Sequence, residues 1–183
     1  MFPRRAPAPK VERSTGGTRV LGAGGKDPPT RRAGSQREEE TMGEAREVFD
    51  RLTVALQRGD LEAAANCYAE DAVVVTPDEG ELHGRERIMQ YYKNFVDAFP
   101  NADYEPVNSH EAGNTAIDEG YFVGTNTAEL SLPTGQIAAT GIHVRVRECD
   151  IVTVESGFIT SHRIYFDQMD FLNQLGLLGT ATT

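Results

Sequence analysis

Residues 142–155 alternate with a period of two, the pattern of a β-strand with one buried face. The even positions are Ile142, Val144, Val146, Glu148, Asp150, Val152 and Val154. The odd positions are His143, Arg145, Arg147, Cys149, Ile151, Thr153 and Glu155. The even face is apolar except for two acids. The odd face opens with cations and reads as solvated up to Arg147. A second alternating run follows, with Phe158, Thr160, His162, Ile164 and Phe166 on one side. Its other side holds Ile159, Ser161, Arg163, Tyr165 and Asp167.

The turn between the runs decides how they meet. Glu155-Ser156-Gly157 suits a three-residue loop, with Gly157 in the left-handed conformation. That register pairs Val154 with Phe158, Val152 with Thr160, and Asp150 with His162. A two-residue Ser156-Gly157 turn pairs Asp150 with Arg163 instead, an ordinary salt bridge of small worth. The first register matches the two apolar faces and is the expectation. An acid then faces a histidine on a mostly apolar surface. Such a surround raises a carboxyl pKa, and an imidazole can share or orient the proton. The plainer reading makes His162 a satisfied core histidine with Asp150 as its partner. Glu148 is the weaker of the two acids, because it falls where the strand could bend outward.

The rest of the chain reads as helices first and strands afterwards. Ala45, Val48, Phe49, Leu52 and Leu56 recur at helical spacing until Gly59. Asp60 caps a second helix running from Leu61 to about Tyr68. Ala72 to Thr76 reads as a strand, and Pro77 to Gly80 as a turn. Residues 85–99 carry Ile88, Tyr91, Tyr92, Phe95 and Phe99 on one helical face, and Pro100 ends the run. Strands are expected near 102–110, 115–125, 142–154 and 158–166. A last helix, about 168–175, stops at Gly176. This order indicates an α+β fold.

Charge divides the chain. The net charge is −10, but residues 1–41 hold nine basic and five acidic side chains, leaving nine and 23 for the rest. Phosphate contacts need a positive face, so the acidic part excludes a nucleic-acid binder. Residues 1–41 also hold five of the nine prolines and six of the eighteen glycines. They are expected either as a disordered tail or as an over-extended start, with Met42 as the true first residue. Residues 42–178 form the expected domain, and 179–183 a flexible end. Cys67 and Cys149 give neither a metal-ligand spacing nor a disulfide framework. No apolar run approaches the length of a membrane span. There is no phosphate-binding glycine loop and no Gly-x-Ser-x-Gly nucleophile motif. His83 is read as serving a turn, and His110 as lying near a strand end. The stripe of Tyr91, Tyr92 and Phe95 reads first as core, although a tyrosine hydroxyl there could point into a cavity.

Several segments together carry a resemblance. Phe49-Asp-Arg-Leu-Thr-Val-Ala-Leu56, Gly59-Asp-Leu61 and Tyr68-Ala-Glu-Asp-Ala-Val73 resemble the opening of SnoaL-like proteins. Those are polyketide cyclase-like and ester cyclase-like members of the nuclear transport factor 2-like (NTF2-like) superfamily. His83-Gly-Arg-Glu86, Gly124-Thr-Asn-Thr127 and Ala139-Thr-Gly141 continue the likeness. Gly157 to Asp167, followed by Phe171-Leu-Asn-Gln-Leu-Gly176, is its most specific part.

The resemblance implies a cone-shaped fold, in which a curved antiparallel sheet wraps about three helices around an apolar pocket. A short C-terminal helix completes it, and a homodimer through the outer sheet face is implied. Asp150 and His162 would line the pocket with Val152, Ile164, Phe166, Phe95 and Asn126. Counted from the turn glycine, the family's catalytic aspartate falls at Ile164, and an acid, Asp150, stands where its histidine would be. Asn126 replaces the histidine of the family's Gly-Thr-His-Thr segment.

The expected chemistry is cofactor-free and metal-free proton transfer on a small apolar carbonyl or polyketide-like compound, giving cyclisation, isomerisation or hydrolysis. Asp150 would be the base and His162 its partner, with Tyr91 or Tyr92 as oxyanion donor. The alternative is a non-catalytic ligand-binding or dimerisation module. A cytoplasmic protein without nucleic-acid or membrane partners is expected in either case.

Overall fold

The computed structural model describes residues 43–133 and 135–178. The expected tail at 1–41 and the end at 179–183 lie outside them. Helix α1 (Glu44–Gln57) buries Ala45, Val48, Phe49, Leu52 and Ala55, the apolar stripe of its sequence. Gly43 has no side chain to cap it, so Glu111 does so from a distant strand. The Glu111 carboxylate accepts from the Gly43 amide at 2.9 Å and from the Arg46 amide at 3.2 Å. Gly59, at φ +67°, turns the chain out of the helix. Helix α2 (Leu61–Ala65) is capped by Asp60, whose carboxylate accepts from the Ala63 amide.

The chain then leaves helical geometry sooner than the sequence suggests. Strand β1 spans Tyr68–Thr76, so Tyr68 belongs to the sheet and not to α2. A short β2 (Gly80–His83) returns beside it, leaving His83 exposed. Helix α3 (Arg85–Ala98) buries Ile88, Tyr91 and Tyr92. Strands β3 (Asp103–Ala112) and β4 (Thr115–Thr125) form a hairpin. The small β5 (Leu130–Leu132) and β6 (Gly135–Ile137) pair separately. Strands β7 (His143–Glu155) and β8 (Phe158–Phe166) are followed by α4 (Gln168–Gln174), which Asp167 caps.

Six strands make one curved sheet in the order β2-β1-β8-β7-β4-β3. Neighbours are antiparallel except β1 and β8, which run parallel. Helices α1 and α3 pack their apolar stripes with Tyr68, Val74, Val152 and Ile159 in one buried cluster. A second cluster joins Phe99, Val144, Val146 and Phe171.

The register of β7 and β8 corrects the sequence expectation. Ser156 and Gly157 both have positive φ (53° and 82°), which makes a two-residue turn and pairs Glu155 with Phe158. A bulge then leaves Thr160 without a partner, between the pairs Val154–Ile159 and Thr153–Ser161. Beyond it Val152 faces His162 and Asp150 faces Ile164. Asp150 is therefore opposite neither His162 nor Arg163. The bulge has a clear physical cause. Ile159 and His162 differ in parity, yet both are buried, so one extra residue must separate them. Phe158, expected on the apolar face, is exposed as a result.

Candidate active site

A cavity of about 390 Å³ lies between α1, α3 and the concave face of the sheet. Its walls are largely aromatic: Phe95, Phe99, Phe122, Phe166 and Phe171 all line it. Val152 does not. It is fully buried in the core cluster behind the cavity. Asn126 is also fully buried but does not line the cavity either. Its amide donates to the Ala128 carbonyl at 2.8 Å and its carbonyl accepts from the Thr140 amide at 2.8 Å, stapling one loop to another. Ile164, Phe166 and Phe95 do line the cavity.

The polar groups in this cavity come from adjacent strands. Asp150 and His162 are only 7% and 2% exposed, and His162 Nε2 lies 2.9 Å from Asp150 Oδ1. They are diagonal neighbours on the β7–β8 ladder and still meet, because both side chains are long enough to span the offset. The other ring nitrogen, Nδ1, lies 2.7 Å from the Tyr68 hydroxyl, which is 2.9 Å from the Tyr92 hydroxyl. An ionised carboxylate can only accept, so Nε2 carries a hydrogen towards Asp150. In the neutral ring, Nδ1 then accepts from the Tyr68 O–H. Burial pushes the Tyr68 and Tyr92 hydroxyls well up from the ordinary tyrosine range, so both remain donors. The edge of Phe49 meets the imidazole at 5.7 Å between ring centres.

Tyr91 and Tyr92 both line the cavity. The Tyr91 hydroxyl donates weakly to Asp78, at 3.4 Å. Burial raises its pKa too, and the Asp78 charge raises it further.

Three polar groups of the site carry weight that sequence reasoning missed or undervalued. Tyr68 holds the back of His162, but its placement depends on the parallel pairing of β1 with β8, which joins residues far apart in sequence. Asp118 is directly opposite Asp150 on β4. Arg46 grips it with two hydrogen bonds, of 2.6 and 2.9 Å, and also reaches Asp50 at 2.7 Å. The signal for Asp118 was available, since it interrupts an alternating apolar strand as Asp150 does. Glu148 also lines the cavity instead of bending outward. Burial is the first cause that holds its carboxyl well above the usual range, and the Asp150 charge is the second.

No curated protein matches the sequence. Solved structures do resemble the fold. A candidate SnoaL-like polyketide cyclase from Jannaschia sp. CCS1 aligns at TM-score 0.65 and 14% identity, over 74% of this chain and 94% of that one. IdmH, a candidate polyketide cyclase from Streptomyces antibioticus, aligns at TM-score 0.60 and 23% identity, over 71% and 96%. An LEH-like epoxide hydrolase from M. tuberculosis aligns at TM-score 0.57 and 19% identity, over 72% and 89%. These likenesses agree with the curved sheet and helices described above. The family model of the SnoaL-like domain matches residues 46–162, more than half of the chain, and the chain therefore belongs to the SnoaL-like domain family.

Proposed function

We propose that the protein catalyses cofactor-free proton transfer on a small, uncharged carbonyl compound, in the manner of a polyketide cyclase. One observation carries this reading: a buried, hydrogen-bonded Asp150–His162 pair lies in the wall of a mostly apolar cavity. Asp150 takes a proton from a carbon next to a carbonyl. The C–H electron pair becomes the enolate double bond, and the carbonyl oxygen takes the charge. His162 holds one Asp150 oxygen, leaving the other for substrate, while Tyr68 holds the ring in the required tautomer. Tyr91, whose bond to Asp78 is long at 3.4 Å, is the side chain on α3 that gives the oxygen a hydrogen bond; Tyr92 spends its one proton on the Tyr68 oxygen, since Tyr68 donates to His162. The resulting carbon nucleophile can close a ring on a second carbonyl of the same molecule.

The test uses 2-tetralone, an uncharged bicyclic ketone, as a carbon-acid probe. Wild-type protein is expected to speed exchange of its α-protons in D2O, followed by NMR. Asp150→Asn should reduce that rate on the order of a hundredfold or more, with the melting temperature kept as the folding control. An undiminished rate in Asp150→Asn ends this reading. Saturable binding without exchange by the wild type favours the ligand-binding module instead. We assign the implied homodimer to the outer sheet face, where Ile117 and Ile151 are half-buried and Tyr165 is exposed.

A further inference from the structure

The mechanism above leaves one group in the cavity unused. Glu148 is two residues from Asp150 on the same face of β7, so both carboxyls open on the same space. Their surroundings differ. Asp150 has the His162 ring as a donor, and across the ladder it faces an Asp118 whose charge Arg46 neutralises. Glu148 faces Gly120 on one neighbouring strand and Phe166 on the other. Neither side chain can donate to it. The place of a side chain at Gly120 is taken by Tyr104, since a Cβ there would come within 2.5 Å of the Tyr104 hydroxyl. Glu148 feels the charge of Asp150, and its own charge acts on Cys149 beside it, on Tyr91 and Tyr92 of α3 and on Tyr104 of β3. None of these is a cation; the same cavity wall also holds Arg58, just after α1, and His162, whose ring is taken by Asp150.

We propose that Glu148 is the general acid of this site, delivering its proton to the substrate carbonyl oxygen while Asp150 removes the proton from the adjacent carbon. This rests on the proton-transfer reading above. The step balances without another reactant. The C–H pair becomes the C=C bond of the enol, and the carbonyl π pair forms the new O–H bond with the Glu148 proton. Glu148 is left as carboxylate and Asp150 as acid, so the total charge is unchanged. Two carboxyls on one strand thus begin in opposite protonation states. Their different neighbours provide for that: one carboxyl has an imidazole donor and a compensated charge beside it, and the other has apolar side chains, un-ionised tyrosines and the Asp150 carboxyl. The raised pKa of Glu148 is consistent with this starting state.

The infrared carbonyl stretch of bound 2-tetralone tests the contact directly. In the wild type it should move to lower frequency than in an apolar solvent, and in Glu148→Leu that shift should shrink to the part that the Tyr91 hydroxyl supplies. It should persist in Asp150→Asn, which leaves the acid in place. In parallel, Glu148→Gln should exchange α-protons on the order of a hundredfold more slowly than wild type, because an amide donates a hydrogen bond but no proton. Leucine and glutamine both fit a site that already faces phenylalanine, so melting temperatures should not fall. An identical stretch in wild type and Glu148→Leu, or full exchange activity in Glu148→Gln, overturns the proposal. So does failure of 2-tetralone to saturate the wild type at millimolar concentration. A rate that falls in Asp150→Asn but not in Glu148→Gln overturns the acid and spares the base. A rate unaffected by Asp150→Asn removes the base reading itself.

Discussion

At the scale of single residues, the site is a set of carboxyls that the fold treats differently. Asp118 is closed off by a two-pronged guanidinium, Asp150 is held by an imidazole, and Glu148 has neither. The difference has a consequence for stability that needs no ligand. A carboxyl whose pKa is higher folded than unfolded binds more protons in the folded state between those two values. Unfolding then releases protons, so stability falls as pH rises through that interval. For Glu148 the interval begins near the ordinary value of 4.5 and runs upward. Its favourable contribution is present below 4.5 and is lost as pH climbs towards the folded pKa. Glu148→Gln has no such titration. Its melting temperature should therefore gain on that of the wild type as pH is raised from about 4 to 8, measured by thermal unfolding at several pH values. A constant difference across that range would show that Glu148 titrates alike in both states.

At the scale of elements, the sequence was most informative where period alone decides. Alternation in 142–155 placed Asp150 and Glu148 on the buried face of β7, and the structure keeps both there. The same rule placed His162 and Ile164 correctly but misplaced Phe158, because a bulge at Thr160 changes the parity. Alternation cannot reveal a bulge when the residues on either side are equally plausible on either face. Nor could it find Tyr68, whose partner strand lies about ninety residues along the chain. Helix α1 shows a similar limit. Its apolar stripe was legible, but its cap comes from Glu111 on β3. Glu111→Ala leaves two amides of the first turn without that acceptor. The expected cost is about 1 kcal/mol, read from urea unfolding. A loss indistinguishable from zero would mean that water replaces the carboxylate at no cost.

At the scale of the whole molecule, charge selects what can enter the cavity. The sequence from Met42 onward carries 23 acidic and nine basic side chains, so a negative field surrounds any approaching solute. Inside, Asp103, Glu148 and Asp150 line the walls, and Arg58 is the one arginine among the lining residues. Arg46 is already committed to Asp118 and Asp50. An anionic ligand would have to lose water without gaining a free cation deep in the site, and that is costly. A neutral ligand of the same shape meets mostly apolar walls and incurs no such charge penalty. The comparison is 2-naphthol against 2-naphthoate, each titrated by fluorescence near pH 7. The naphthoate should bind at least about tenfold more weakly at ordinary ionic strength, the effect of a single like charge close by in a medium of intermediate dielectric. At about 1 M salt, screening acts over roughly 3 Å and suppresses the distant surface charges. The gap should narrow but not close, because Asp150 and the ligand would then be separated by no more than that length. Equal affinities at low salt would place Arg58, not the acids, in control of the cavity.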